Sequence, residues 1–146
     1  MKSILKFILI AGALMLTSQS KVQNIKEHKW NKRVVLLISK TPKSSKLVKQ
    51  LNLFKNQNLE FNERKLIIYK VLLDSYKLNN PKHKTWTKSK KIFQFYNEEK
   101  LDFKIILIGL DGSIKFETTD IIKPSKLYET IDTMPMRRIE LKSNRK

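Results

Sequence analysis

A strand–turn–strand pattern occupies residues 103–117, which read Phe-Lys-Ile-Ile-Leu-Ile-Gly-Leu-Asp-Gly-Ser-Ile-Lys-Phe-Glu. Residues 103–110 form a strong apolar strand signal, and the pair Asp111-Gly112 is typical of a turn between antiparallel strands. We therefore predict a β-hairpin whose second strand covers residues 113–117. The two strands of this hairpin form the C-terminal half of a predicted sheet.

Two earlier apolar runs predict the other half of that sheet. Residues 34–38 read Val-Val-Leu-Leu-Ile, and residues 65–72 again leave little polar face. Such continuous runs are typical of strands that are covered on both faces. The segment between them carries apolar residues at helical spacing, at Leu47, Leu51 and Phe54. Strand, helix and strand therefore predict a parallel βαβ unit.

The remaining segments complete an alternating order. We predict a second helix around residues 92–99 and a last helix that begins at Pro124 or Ser125, and a loop at residues 74–87, which contain Asn79-Asn80-Pro81. The resulting order is β-α-β-α-β-β-α, an α/β arrangement with a mixed sheet and a C-terminal hairpin. That order is typical of a thioredoxin-like three-layer sandwich, although other α/β sandwiches share it.

The N-terminus has the pattern of an export signal. An apolar run from Phe7 to Leu16 follows Lys2 and Lys6 and precedes Ser18-Gln19-Ser20. The run is shorter than the roughly 20 residues that a spanning helix needs, so we expect cleavage after residue 20; an uncleaved anchor is the alternative. We divide the chain into a signal peptide (1–20), an N-terminal extension (21–32), in which Trp30 is a candidate anchor, a domain (33–141) and a basic tail (142–146).

The composition excludes several kinds of chemistry. The chain has no cysteine, which rules out disulfides, thiol redox catalysis and thiolate metal ligands. His28 and His83 have no partner at metal-ligand spacing, the acidic residues are scattered, and no glycine-rich phosphate loop is present. We therefore predict no catalytic, cofactor-binding or metal-binding residue, and no enzymatic activity.

The loop after the first strand is where a thioredoxin-like domain carries its reactive thiol. Here residues 39–45 read Ser-Lys-Thr-Pro-Lys-Ser-Ser, with hydroxyls and lysines instead. A serine cannot undergo disulfide exchange and needs a nearby base to become a nucleophile. We expect Ser44 or Ser45 to cap the following helix.

The strongest functional signal is positive charge, which totals +18. Such a field attracts polyanions, and their binding weakens as salt rises. The candidate anion-binding residues are Lys82, Lys84, Trp86, Lys88, Lys90, Lys91, Arg137 and Arg138. Lysine greatly outnumbers the five arginines, a pattern that an AT-rich genome also produces, so a merely solvated basic surface is the alternative.

Two C-terminal segments and one internal segment carry a family resemblance. They are Leu107-Ile-Gly-Leu-Asp-Gly-Ser-Ile-Lys115, Ile131-Asp-Thr-Met-Pro-Met-Arg-Arg-Ile-Glu140 and Glu63-Arg-Lys-Leu66. The chain resembles a domain of unknown function found in small exported bacterial proteins and in animal matrix proteins such as equarin and the sushi-repeat-containing group. The resemblance implies a thioredoxin-like, peroxiredoxin-related fold without an established activity. We expect Arg137 and Arg138 either to pair with carboxylates such as Glu63 or to present a binding edge.

These observations favour an exported, periplasmic or extracellular module that acts by binding or as a structural component of the cell envelope. Its expected partner is an unidentified protein or an anionic envelope polymer, with weak electrostatic contact to a membrane surface and no small-molecule substrate. The second hypothesis is a polyanion-binding protein that uses the lysine-rich surface to hold a cell-wall polymer, glycan, DNA or acidic lipid. The third is an enzyme that uses hydroxyl and carboxylate groups. It requires a pocket in which Thr41 or Ser44 contacts an acid or histidine whose pKa is strongly shifted.

Overall fold

The computed structural model describes residues 23–143, with side chains from residue 25 onward. The elements are α1 (Gln23–Lys26), β1 (Arg33–Ser39), α2 (Ser45–Leu53), α3 (Asn58–Glu63), β2 (Leu66–Val71), β3 (Ser75–Leu78), β4 (Thr87–Lys88), α4 (Lys91–Tyr96), β5 (Phe103–Ile108), β6 (Ile114–Thr118), α5 (Pro124–Asp132) and α6 (Pro135–Ser143). The fold is therefore mixed α/β.

The strands form one six-stranded mixed sheet in the order β4-β3-β2-β1-β5-β6. The β1–β2 pair is parallel, and the other neighbouring pairs are antiparallel. The predicted βαβ unit and the predicted C-terminal hairpin are both confirmed. The central position of β1 explains why its apolar run is continuous, since all seven of its residues are buried.

Two apolar clusters lie on opposite faces of this sheet. On one face, Val35 and Leu37 of β1 pack with Leu47 of α2 and Leu127 of α5. On the other face, Leu36 packs in a cluster with residues from α1, α4 and the neighbouring strands. Alternate residues of one strand thus point into different clusters, as the pleat requires. Helices cover the sheet from both sides.

The hairpin turn is longer than the pair Asp111-Gly112 predicted. The strands stop at Ile108 and resume at Ile114, and the register shifts at Leu107/Ile108. The Gly109 N–H donates to the Ser113 carbonyl at 2.9 Å, which closes a five-residue loop. Gly112 has a φ of 79°, a conformation that glycine adopts without steric cost.

The prediction of a loop at residues 74–87 is wrong. This segment contains β3 and the start of β4, both antiparallel to their neighbours. Asn79-Asn80-Pro81 mark only the turn region between them. The two strands are short, so their alternation covers too few residues to outweigh the turn signals.

The two ends of the domain also differ from expectation. Ile25, only 4% exposed, anchors the N-terminal segment in the core, whereas the candidate anchor Trp30 is 59% exposed. Pro135 follows the break after α5 as expected, but it also begins α6, which continues to Ser143 through the start of the predicted tail.

The predicted signal peptide and residues 144–146 lie outside the described residues. Between residues 23 and 143, no helix is long and apolar enough to span a membrane.

Candidate functional site: a lysine–tryptophan face

Trp86 lies beside two lysines of the neighbouring strands. The Lys70 Nζ lies 5.8 Å and the Lys77 Nζ lies 5.7 Å from the centroid of the Trp86 ring. Both distances are within the range at which a cation is attracted to an aromatic face. Trp86 remains 37% exposed, so the residue is partly open to solvent beside the two lysines.

Strand register explains why these side chains meet. Lys70 of β2 pairs directly with Lys77 of β3, and Lys88 of β4 pairs with Ser75, two residues from Lys77. Opposed residues of paired strands, and residues two apart along one strand, share one face of a sheet. Lys70, Lys77 and Lys88 therefore lie on one face together with Trp86. We call these four residues the lysine–tryptophan face.

This face carries little compensating negative charge. Residues 70–91 contain seven lysines and a single acidic residue, Asp74. Among the described residues, Lys70, Lys77 and Lys88 form no ion pair with a carboxylate. Burial lowers the pKa of Lys70, and the neighbouring charge of Lys77 lowers it further. The arrangement thus concentrates like charge on a half-buried surface, which costs free energy unless an anion is bound.

The other lysines of the predicted surface are divided between two places. Lys82 and Lys84 are exposed in the loop before β4, and the Lys84 carbonyl accepts a hydrogen bond from Lys77 Nζ at 3.3 Å. Lys90 and Lys91 are exposed at the start of α4, which packs against the opposite face of the sheet. The sequence run therefore does not form one continuous patch.

The two candidate arginines have different environments. Arg138 is exposed, whereas Arg137 is 1% exposed and lies in an ionic cluster. Its Nη2 donates to Glu63 Oε1 and its Nε donates to Asp132 Oδ1 at 3.1 Å. The pairing of Arg137 with Glu63, the structural alternative from the sequence, is present. The Arg137 guanidinium thus forms ion pairs with carboxylates of the domain itself.

The same cluster joins the first strand of the domain to its last helix. Arg33 Nη1, at the start of β1, lies 3.2 Å from Glu140 Oε2 of α6, and Arg64 Nη2 lies 2.7 Å from Asp132 Oδ2. Burial acts to raise the pKa of Asp132, but hydrogen bonds from Arg64 and Arg137 outweigh it, so that pKa lies below its usual value. The Asp132-to-Glu140 motif therefore ties the α5–α6 junction to the N-terminal ends of β1 and β2.

The family described as Domain of unknown function (DUF4174) matches residues 24–140. The chain belongs to the DUF4174 family. The matched range includes both the lysine–tryptophan face and the ionic cluster. No curated protein matches the chain.

The loop after β1 has no reactive group in this DUF4174 domain beyond its hydroxyls and lysines. The buried Ser39 donates through Oγ to the Thr41 carbonyl at 3.0 Å. Ser44 occupies the N-cap position of α2, but its side chain makes no capping hydrogen bond, so the expected capping interaction is absent there. In residues 23–143 no group of three or more His, Asp or Glu side chains is placed to hold a metal ion.

Sequence reasoning missed Lys70 and Lys77. Lys70 lies within the apolar run 65–72, and Lys77 lies within residues 74–87, which the turn residues predict as a loop. The available signal was the alternation of Tyr76, Lys77 and Leu78, which predicts a strand that is polar on one face. Only the β2–β3 register reveals that the two lysines are opposed.

Proposed function

We propose that this DUF4174 protein is an exported binding module that holds an anionic polymer of the cell envelope on its lysine–tryptophan face. The observation that carries the proposal is the direct pairing of Lys70 with Lys77, with both ammonium groups within 6 Å of the Trp86 ring centroid. Like charges placed opposite each other destabilise a sheet, and an anion that bridges them removes this cost. Export rests on the N-terminal sequence pattern.

We further propose that the domain is thioredoxin-like. The parallel β1–β2 pair, the antiparallel β5–β6 hairpin beside β1, and helices on both faces support this assignment. Without cysteine it has no thiol chemistry, and we propose a binding role rather than catalysis.

A polymer fits this surface better than an isolated small anion. The lysine–tryptophan face is continued by Lys82 and Lys84 in the adjoining loop, so it presents positive charges over a length of surface. A chain with repeating anionic groups can meet several of these charges at once and release several counterions. The open part of the Trp86 ring can pack against a sugar or a base between successive charges.

The test is binding of the full-length protein to four separate probes over a salt series: polyglycerol phosphate, polygalacturonate, single-stranded DNA and vesicles that contain phosphatidylglycerol. We expect the Lys70→Gln/Lys77→Gln double variant to bind the preferred polymer at least about tenfold more weakly. For single-stranded DNA, the slope of the logarithm of the binding constant against the logarithm of the salt concentration should become shallower by about 1.4, since each lost phosphate contact contributes roughly 0.7.

The matched control is Lys123→Gln/Lys126→Gln. These two lysines are exposed on and just before α5, which follows the strand at the opposite edge of the sheet. This control loses the same charge, and we expect less than about a twofold change from it. Equal losses in both double variants, or no binding that survives physiological salt, would refute the proposal and leave a dispersed basic surface.

A further inference from the structure

A cleft of about 270 Å³ continues the lysine–tryptophan face beyond the end of β3. Asn79, the residue after β3, donates its N–H to the Ile68 carbonyl at 2.7 Å and so extends the ladder past the Lys70–Lys77 pair. Residues two apart along a strand share a face and lie about 6.5 Å apart, so Asn79 follows Lys77 on the same face. Ile68 and Asn79 both line the cleft, which is therefore a direct neighbour of the lysine pair.

The lining of this cleft carries no charge. Although 30% of the chain is charged, none of the eleven lining residues is a lysine, arginine, aspartate or glutamate. An anionic group would find no cation inside the cleft, and its loss of water there would cost free energy. The cleft therefore selects an uncharged part of a ligand, whereas the adjoining lysines attract a charged part.

Three side-chain amides of the lining are available to a ligand. Asn58 and Asn62 are four residues apart on α3 and so lie on the same face of that helix, and Asn79 follows β3. All three residues are exposed, and within residues 23–143 none of their side chains makes a hydrogen bond. Each amide offers two N–H donors and an acceptor oxygen, which match hydroxyl groups that both donate and accept. These groups suit a ring that carries several hydroxyls.

The apolar part of the lining suits a sugar better than a base. Phe54 and Phe61 are 4% and 6% exposed, and their rings pack edge to face with centroids 5.5 Å apart. Neither ring presents the open face on which a nucleic-acid base stacks. Ile67 and Leu78 are half-buried, and the C–H groups of a sugar ring can pack against their remaining apolar surface. The volume is below the roughly 300–1,000 Å³ of sites for drug-sized ligands, so the cleft suits a single ring.

We propose that this cleft binds an uncharged sugar of the envelope polymer through Asn58, Asn62 and Asn79. Lys70 and Lys77 bind the charged sugar next to it. The inference rests on the proposed function and narrows its ligand to one class, an anionic glycan in which uncharged and charged sugars alternate. A glycan that is charged at every sugar, such as polygalacturonate, meets the lysine pair but does not suit the cleft. Single-stranded DNA and phosphatidylglycerol present no ring with free hydroxyl groups.

The test compares two glycan probes on the full-length protein. One is a hyaluronan hexasaccharide, in which uncharged N-acetylglucosamine alternates with glucuronate, and the other is a galacturonate oligomer with the same number of carboxylates. We expect hyaluronan to bind at least about tenfold more tightly, since only hyaluronan places an uncharged sugar beside each charge and can use the cleft amides. In ¹H–¹⁵N NMR spectra, hyaluronan should shift the side-chain amide signals of Asn58, Asn62 and Asn79 in a saturable way, and the galacturonate oligomer should not.

Asn58→Ala/Asn62→Ala removes two of the three amides, and the fold should be kept because alanine is favourable in a helix. We expect this double variant to bind hyaluronan at least about tenfold more weakly with the same salt dependence, since it loses hydrogen bonds but no charge. Its affinity for the galacturonate oligomer should stay that of wild type. The matched control is Asn31→Ala/Asn52→Ala, which removes two exposed amides outside the cleft and should change neither affinity by more than about twofold.

The inference about the cleft is wrong if hyaluronan does not bind at millimolar concentrations, if wild type binds both glycans equally, or if Asn58→Ala/Asn62→Ala binds hyaluronan as wild type does. The polymer proposal survives such a result if Lys70→Gln/Lys77→Gln still weakens the binding of the galacturonate oligomer. Conversely, hyaluronan binding that depends on the two asparagines but not on the two lysines would uphold the cleft and overturn the lysine–tryptophan face as the anion site.

Discussion

Arg137 Nε donates a hydrogen bond of 3.1 Å to Asp132 Oδ1 across the Met134–Pro135 junction between α5 and α6. Asp132 also accepts a hydrogen bond of 2.7 Å from Arg64, which immediately precedes the turn into β2. One carboxylate thus bridges α6 and the segment just before β2 from the C-terminal end of α5. This geometry gives the motif that carried the family resemblance a structural role.

Asp132→Asn should destabilise the domain by about 1–2 kcal/mol. Hydrogen bonds to charged groups contribute roughly 1.5–3 kcal/mol when buried, and the 35% exposure of the Asp132 side chain reduces that contribution. Urea unfolding measures the change. Asp120→Asn is the control, since Asp120 is 83% exposed in its ion pair with Lys46 and should change stability by less than about 0.5 kcal/mol. Equal effects would show that the cluster adds nothing specific.

The stability of the fold should decrease on acidification in a way that depends on Asp132. Its pKa in the folded protein lies below the ordinary value of 3.8, so its stabilising effect is present above pH 3.8 and is lost as the pH falls through the folded pKa. Urea unfolding at a series of acidic pH values should show a shallower decline in Asp132→Asn than in wild type. Parallel declines would contradict this assignment.

Gly109→Ala should separate Lys115 from Asp111, whose carboxylate lies 2.7 Å from Lys115 Nζ. A Cβ at Gly109 would lie 2.6 Å from Lys115 Cε and 2.9 Å from Asp111 Oδ1, closer than real contacts allow. The flexible lysine end can move, so we expect a stability loss of no more than about 1 kcal/mol. The pKa of Asp111 should rise from about 2 toward 3.8, as measured by NMR titration of its carboxyl carbon. An unchanged pKa would mean that the Lys115 contact does not control it.

Lys77→Thr should leave stability within about 0.8 kcal/mol of wild type. Removal of the charge opposite Lys70 gains roughly 0.2–1 kcal/mol, and loss of the contact with Trp86 costs about 0.5–1 kcal/mol. Burial still lowers the pKa of Lys70, but without Lys77 that pKa should rise in an NMR titration. Weaker polymer binding at unchanged stability would separate the function of this lysine from the fold; a large stability loss would assign Lys77 a structural role.

Local patterns were enough to predict the centre of the sheet. The unbroken run at 34–38 and the apolar run at 103–110 each encode a buried strand, and their pairing with neighbours follows from the helix and the turn that connect them. The length of the hairpin loop was not predicted, because no local pattern in the sequence indicates the bulge at Leu107/Ile108 that lengthens it.

The candidate sites depend on residues that are distant in sequence. Arg33 and Glu140 are 107 positions apart, and no local pattern indicates that they meet. Lys70 and Lys77 are close in sequence, but their opposition depends on the β2–β3 register. A charge run such as 82–91 is visible in the sequence, whereas its division between two faces of the sheet becomes visible only when the chain is folded.

The shortness of β4 has a consequence for association between copies of the chain. An exposed edge strand offers unpaired backbone groups to which another chain can add, and short or lysine-bearing edges discourage such pairing. Here the outermost strand has only two residues, Thr87 and Lys88, both exposed. The lysines beside this edge would repel a second copy in the absence of ligand. A bound polyanion would neutralise those charges and remove this protection. Protein that is saturated with polymer should therefore aggregate through the sheet edge.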